Sequence, residues 1–437
     1  MSYLELTHAQ LSALLAPIAP SAGMPRDLTP RVRAAGEARD EPAQLERRFA
    51  TAVFSTLAEP GDTDAVRLIS GLGPACALSA VVERWPTARV LDAIGEVDSD
   101  AATMLTGRLD DALERWLPRL SLRTARHALE SAARFEATLV TPDDDLWPLG
   151  FSALGDGAPI ALWVRGDVQN LRSLDRSIAL VGARAATGYG EHVAMESAAG
   201  LSDRGITVVS GGAYGIDGAA HRAALASDQT TIAFLAGGVD RLYPAGHTEL
   251  LTRIAERGLL VAELPCGSSP TKWRFLLRNR LIAAASSATV VVEAGRRSGS
   301  LNTAGHAAAI GRPLGAVPGP VTSPASAGCH RLLREFDAVC VTDAAEMAEL
   351  ANLSEPAQPV AGVGAGLVGV VDSAPNEKSE IEGTAIRLLD ALSRRRARSP
   401  AELAASAGMS VREVTAALGG LELAGTVAER PDGWVRR

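Results

Sequence analysis

Short, almost unbroken apolar runs alternate with segments of helical period through the middle of the chain. The runs are "RSIALVGA", "ITVVSGG", "TTIAFLAGG", "LLVAEL", "ATVVVEAG" and "RPLGAVPG". A run without polar alternation is how a strand buried on both faces reads. Between the runs lie amphipathic stretches such as "GEHVAMESAAGLSDRG" and "DGAAHRAALAS". Six such alternations predict a doubly wound, mainly parallel α/β sheet within residues 140–350. A Pro-, Gly- and Asp-rich transition, "VTPDDDLWPLGFSALGDGAPIALWVRGD", leads into it.

The flanks follow other patterns. From Leu4 to about Arg134 the apolar spacing is helical, giving an N-terminal helical region over 1–139. Within it, Gly71 and Gly73 in "LISGLGPACAL" read either as a helix-hairpin-helix turn offering N–H groups to a phosphate or as a plain interhelical turn. Residues 351–380 are Gly, Pro, Ala and Ser without a period and read as a linker. The tail, 381–437, reads helix, helix, helix, hairpin. Ser399 before Pro400 and Ser410 before Val411 are N-cap signatures, and Pro431-Asp432-Gly433 is a turn. That order predicts a winged helix-turn-helix. With nine arginines against eight acids from Glu380 to Arg437, its charge leaves DNA reading and protein docking both open.

Composition narrows the function. With 437 residues, 47% of them hydrophobic, the chain builds more than one core. No apolar run approaches a membrane span and no basic, apolar leader opens the sequence, so a cytoplasmic protein without a membrane partner is expected. Cys76, Cys266, Cys329 and Cys340 form no C-x-x-C pair, which argues against zinc and against a disulfide framework. A net charge of −8 excludes an all-over basic coat for nucleic acid. Any anion site must therefore be local. Between Lys272 and Arg312 stand seven basic residues and one acid, Glu293. The first part, "KWRFLLRNRLIAAAS", reads as a helix with Arg274 and Arg278 on one face and Leu276, Leu277, Leu281 and Ile282 toward the sheet. Trp273 is either a core filler or a ring beside the cations. Phe275 with Arg278 and Arg280 reads as a stacking and phosphate platform for single-stranded nucleic acid.

The loops at the carboxyl ends of the strands all contain glycine and open helices, so the rim offers several phosphate seats. "GARAATGYG" is neither the dinucleotide fingerprint nor a P-loop, and no cofactor is expected. Asp217 and His221 are spaced for a carboxylate–imidazole pair or for a structural hydrogen bond. Glu263, Glu293, His306 and His330 stand in other loops or helix starts. No activated nucleophile or metal-ligand spacing appears, so binding rather than catalysis is expected.

The motifs "VGAR…TGYG", "VVSGGAYGIDGAAHRAAL", "TIAFLAGGVDRLYPAGH", "RNRLIA", "VVVEAGRRSGSLNTAGHAA" and "VPGP…AGCHRLL" resemble, in order and spacing, the DNA-processing protein A (DprA/Smf) family over about Leu146 to Val341. The resemblance implies a Rossmann-like domain between a SAM- or helix-hairpin-helix-like region and a winged helix. It implies a single-stranded DNA binder that is not an enzyme. Such a protein protects incoming strands, loads the recombinase RecA in transformation and forms a homodimer through the Rossmann-like domain. It points to Gly182, Ala183 and Arg184 as a phosphate loop. Lys272, Phe275, Arg278, Asn279 and Arg280 correspond to the family's grip on backbone and base, and Ser298, Gly299 and Ser300 to its S-G-S loop. Gly212 and Tyr214 lie in the loop where many relatives carry an arginine, and a stacking or hydroxyl contact from Tyr214 is expected in its place. Leu276 replaces a frequent proline. Related Rossmann-like phosphoribohydrolases are the alternative, but "SGSLNTAGHA" lacks their acid.

Overall fold

The computed structural model describes residues 2–3, 6–20, 41–354 and 377–437. Most of the segment read as a linker, from 355 to 376, lies outside the described residues.

A short ribbon, β1 (Ser2–Tyr3) with β2 (Leu6–Thr7), precedes α1 (His8–Leu15). The helical region then runs α2 (Glu41–Leu57), α3 (Thr63–Leu72), α4 (Pro74–Val82), α5 (Thr87–Gly95), α6 (Ser99–Leu105), α7 (Leu109–Trp116) and α8 (Leu122–Arg134). Its core gathers Phe49, Phe54, Leu78 and Trp116. The buried Trp116 indole donates from Nε1 to Asp62 (2.9 Å). The Gly71/Gly73 turn is a plain one, since the Gly73 N–H donates to the Ile69 carbonyl (2.8 Å) and is not presented to a ligand.

The sheet comprises β3 (Ala137–Val140), β4 (Leu162–Gly166), β5 (Ser177–Gly182), β6 (Thr207–Ser210), β7 (Thr231–Leu235), β8 (Leu259–Ala262), β9 (Ala288–Glu293), β10 (Leu314–Ala316) and β11 (Val339–Cys340). Their spatial order is β11-β10-β9-β5-β6-β7-β8-β4-β3. The six expected strands, β5 to β10, are all present and parallel. Strands β3, β4 and β11 lie outside the six predicted runs. β3 and β4 pair antiparallel on one edge, where the transition segment had hidden β4 among Pro, Gly and Asp.

The connecting helices are α9 (Gly188–Asp203), α10 (Ile216–Ala226), α11 (Thr248–Arg257), α12 (Lys272–Ala285), α13 (Ser300–Ala309), α14 (Ala327–Glu335) and α15 (Ala344–Leu350). Alternate residues of β5 serve opposite layers. Ile178 and Leu180 pack under α9, α10 and α15, whereas Ala179 and Val181 join the core beneath α12, α13 and α14. Burial on both faces is the reason the strands lack polar alternation.

The tail folds as α16 (Glu377–Ala391), α17 (Pro400–Ala407), α18 (Val411–Leu423) and the hairpin β12 (Val427–Arg430) with β13 (Gly433–Arg436). Ser399 and Ser410 each close a capping box, with Glu402 and Glu413 respectively. This is the expected winged helix, with its own core around Leu388, Leu403, Val414 and Leu418.

Candidate nucleic-acid interface

Strand order reverses between β5 and β9, since the connection from β5 leads to β6 on one side and that from β9 to β10 on the other. The loops after β5 and β9 therefore part, and a crevice opens at the carboxyl ends of the strands. In this chain it is a trough of about 860 Å³. The loop after β5 supplies Gly182, Ala183 and Arg184, the loop after β9 supplies Arg296 to Gly299, and the first half of α12 forms the third wall. Gly182 is required for closeness alone, since a Cβ there would lie 2.5 Å from the Ile216 side chain and 2.8 Å from the Glu293 carbonyl.

Four cations edge the trough, Arg184, Lys272, Arg296 and Arg297, and all are exposed. Among the described residues, no carboxylate pairs with any of them. Phe275 lies between, half-buried, with the Arg184 Cζ 4.9 Å from its ring centroid. Tyr243, from the loop after β7, is 50% exposed and tilts against Phe275 at 5.6 Å. Two rings among unpaired cations suit a strand whose bases stack while its phosphates are neutralised.

Arg278 has a different place from the one its sequence position suggests. It is buried at the floor of the trough, where Nη1 donates to the carbonyl of Gly211 (2.8 Å) and to that of Phe234. A Cβ on Gly211 would stand 2.4 Å from that nitrogen, so the strand end must be bare to admit the guanidinium. Burial pulls its pKa down to about 10, against the pull of Asp217 and with help from Arg184. It remains cationic at neutral pH, so it adds field beneath Phe275, whose ring its Cζ approaches to 5.6 Å.

Arg280 is a correction. It is buried on another side of α12 and holds Glu263 with two bonds, 2.8 and 2.7 Å, so it is an internal ion pair rather than a DNA contact. Arg274 does not share a working face with Arg278 either. It pairs with Glu59 of the helical region at 2.7 Å. Leu281 and Ile282 are buried as expected, but Leu276 lines the trough and Leu277 faces away beside Trp273. Trp273 packs against Gly383 and Arg387 of the winged helix and is not a trough ring. Gly212 and Tyr214 also stay outside. The Tyr214 hydroxyl accepts the Gly246 N–H (3.1 Å) and its ring meets His247 edge-on, so it does not replace the missing arginine.

Ten of the expected residues do converge on the trough: Gly182, Ala183, Arg184, Lys272, Phe275, Arg278, Asn279, Ser298, Gly299 and Ser300. Asn279 works locally, donating to Asn302 (3.1 Å) and so tying α12 to the start of α13. Ala183 shapes its loop, because its N–H is already donated to the Glu293 carbonyl (2.7 Å). Tyr243 joins them in the trough, although nothing in the local pattern of "DRLYPAGH" marks it as a binding ring.

The helix starts are less available than glycine loops imply. Glu293 accepts the Thr187 N–H (2.8 Å) and hydroxyl (2.6 Å), placing a carboxylate at the head of α9. Asp217 accepts the N–H groups of Gly211 (3.2 Å) and Ala213 (3.3 Å) ahead of α10. Burial raises its pKa, with Arg278 and those amides opposing. At α12 the Trp273 N–H already donates to Asp390 (3.0 Å) and the Arg274 N–H to Thr271 (3.3 Å). Anion binding in the trough therefore falls to side-chain cations.

The residues spaced for catalysis are not paired with one another. His221 shares a hydrogen bond with Thr231 (2.8 Å) instead of Asp217, and burial takes its pKa down to about 3. His306 is half-buried and partial burial takes its pKa down to about 4, and His330 meets the Gly319 carbonyl (2.9 Å). Among the described residues no three His, Cys, Asp or Glu side chains are grouped to hold a metal ion, and no single helix is long and apolar enough to cross a membrane.

The family model for DNA recombination-mediator protein A matches residues 138–352, and that for the DprA winged helix domain matches 372–433. A putative DNA processing protein DprA of Mycobacterium tuberculosis is 46% identical over 326 residues, covering 72% of this chain and 81% of that protein. The chain belongs to the DprA/Smf family. Protein Smf of Escherichia coli is another DprA/Smf relative, 36% identical over 324 residues, which cover 73% of this chain and 82% of that protein. The X-ray structure of DprA from Streptococcus pneumoniae superposes with a TM-score of 0.53 at 28% identity, covering 70% of this chain and 97% of that one. DprA/Smf membership makes this a DNA-processing protein, and the two family models fall on the Rossmann-like sheet and on the winged helix.

Proposed function

We propose that the chain binds single-stranded DNA in the trough and presents it to the recombinase RecA. Phosphates would lie on Arg184, Lys272, Arg296 and Arg297, and bases on Phe275. Gly182, Ala183 and the Ser298–Ser300 turn would shape the seat. The observation carrying this reading is the set of four exposed, unpaired cations around two rings in a chain of net charge −8. Bases must be unstacked to use a ring, which favours a single strand over a duplex. Delivery to RecA, protection of incoming strands during transformation and a homodimer through the Rossmann-like domain rest on family membership. The family model's own description as a recombination mediator supports the first of these. In this reading the chain acts by binding, without a cofactor.

Gel-shift competition tests the first step. Unlabelled single-stranded oligonucleotide should displace a labelled single strand far better than the same sequence as duplex. Equal competition would contradict the reading. The second step is checked by RecA-dependent ATP hydrolysis on strands coated with single-strand-binding protein. The chain should shorten the lag, and an unchanged lag would remove RecA from the proposal.

A further inference from the structure

A second cationic cleft, of about 700 Å³, opens where the helical region, the sheet and the winged helix meet. One wall is the loop Leu264–Ser268 after β8. That same loop runs on through Ser269 into Pro270, Thr271 and Lys272, which wall the trough. The two recesses thus share a single short segment, which ends on the trough side at exposed Lys272.

The cleft has the chemistry of a phosphate track. The winged helix contributes Arg396 and Arg398 from the turn between α16 and α17, and the helical region contributes Thr56, Ser121, Thr124 and His127. Arg398 is held in place by the Ala391 carbonyl (2.7 Å) and Ser406 (3.4 Å). The exposed Arg396 side chain pairs with Glu402 at 3.3 Å, with both side chains at least half exposed, a contact worth little in water. Glu402 is the one acid lining the cleft among the described residues, and its carboxylate also accepts the Ser399 N–H (2.9 Å). Arg394 and Arg395 next to it are exposed too. Among the described residues no Phe, Tyr or Trp lines the cleft, so it suits the sugar-phosphate backbone better than a run of stacked bases. Helix α18 offers no such cluster, since its one basic residue, Arg412, pairs with Asp111 of α7 (2.7 Å) and stands against two acids of the same helix, Glu413 and Glu422.

We propose that this cleft is a second seat for the phosphodiester backbone of the strand bound in the trough, so that the winged helix touches DNA through the Arg396 turn rather than through α18. The inference rests on the trough reading and extends it.

The test compares oligothymidylates of about 6 and about 20 nucleotides, lengths spanning one and more than one seat, on the full chain. Each variant is scored by its ratio of long to short affinity, which cancels the extra binding registers of a longer strand. Arg396→Glu should leave the short oligonucleotide's affinity unchanged, reduce the ratio about fivefold or more and flatten the salt dependence of the long one. Arg253→Glu, on exposed α11 away from both recesses, controls for net charge and should keep the parental ratio. A parental ratio in Arg396→Glu, or an equal fall in Arg253→Glu, overturns the cleft proposal. Arg184→Ala separates the two readings. If it weakens the short oligonucleotide while Arg396→Glu changes nothing, only the cleft falls. If short-oligonucleotide binding survives Arg184→Ala, the trough reading falls.

Discussion

A cation and a ring hold a strand by different physics, and Arg184 and Phe275 separate them. Arg184→Ala removes about one neutralised phosphate, so the slope of log affinity against log salt should shrink by roughly 0.7 for a single strand. Phe275→Ala removes a stacking surface worth about 1–3 kcal/mol per base and should weaken binding by a similar amount at every salt concentration. Fluorescence-anisotropy titrations at several chloride concentrations distinguish the two, and identical slopes for both variants would contradict the division of roles. At this scale the sequence pointed to the residues of the trough but overstated their charge. Of the seven basic residues from Lys272 to Arg312, Arg274, Arg278, Arg280 and Arg312 are turned to internal partners. A guanidinium on a long stem satisfies buried carbonyls and carboxylates well. Those partners are invisible to local pattern when, as with Glu59 and Arg274, they lie 215 positions apart.

At the level of elements, α12 is the piece that does most. Its period announces one polar and one apolar face, yet it has three working sides. One presents Lys272 and Phe275 to the trough. A second buries Leu281 and Ile282 on the sheet. The third meets Glu59, where arginines from all three parts converge: Arg119, Arg274 and Arg387. Burial alone would raise the Glu59 pKa, but the guanidiniums outweigh it and hold it at about 2. A carboxyl lowered on folding stabilises above its unfolded pKa, near 4.5, and that contribution is lost as pH falls through the folded value. Glu59→Gln should therefore melt well below the parent at pH 7, by about 3 kcal/mol of stability. The gap should close between pH 4.5 and pH 2. Thermal melts across that range check it, and a gap independent of pH would show that Glu59 acts by packing alone.

For the whole molecule, the sheet and winged helix could be read from sequence because burial on both faces and capping boxes leave local signatures. The association of the three parts left none. Asp390 on the α12 head, Arg412 on Asp111 and Trp273 on Gly383 are long-range contacts between segments that look self-contained. Strand order was equally hidden, yet it is the reversal between β5 and β9 that opens the trough and selects which glycine loops matter. The central claim is that DNA lies in this trough. Photocrosslinking with 5-iodouracil oligonucleotides, followed by peptide mapping, addresses it most directly. Adducts are predicted at Phe275 and Tyr243. Adducts confined to α18 or the β12–β13 wing, with both trough rings unmodified, would contradict it.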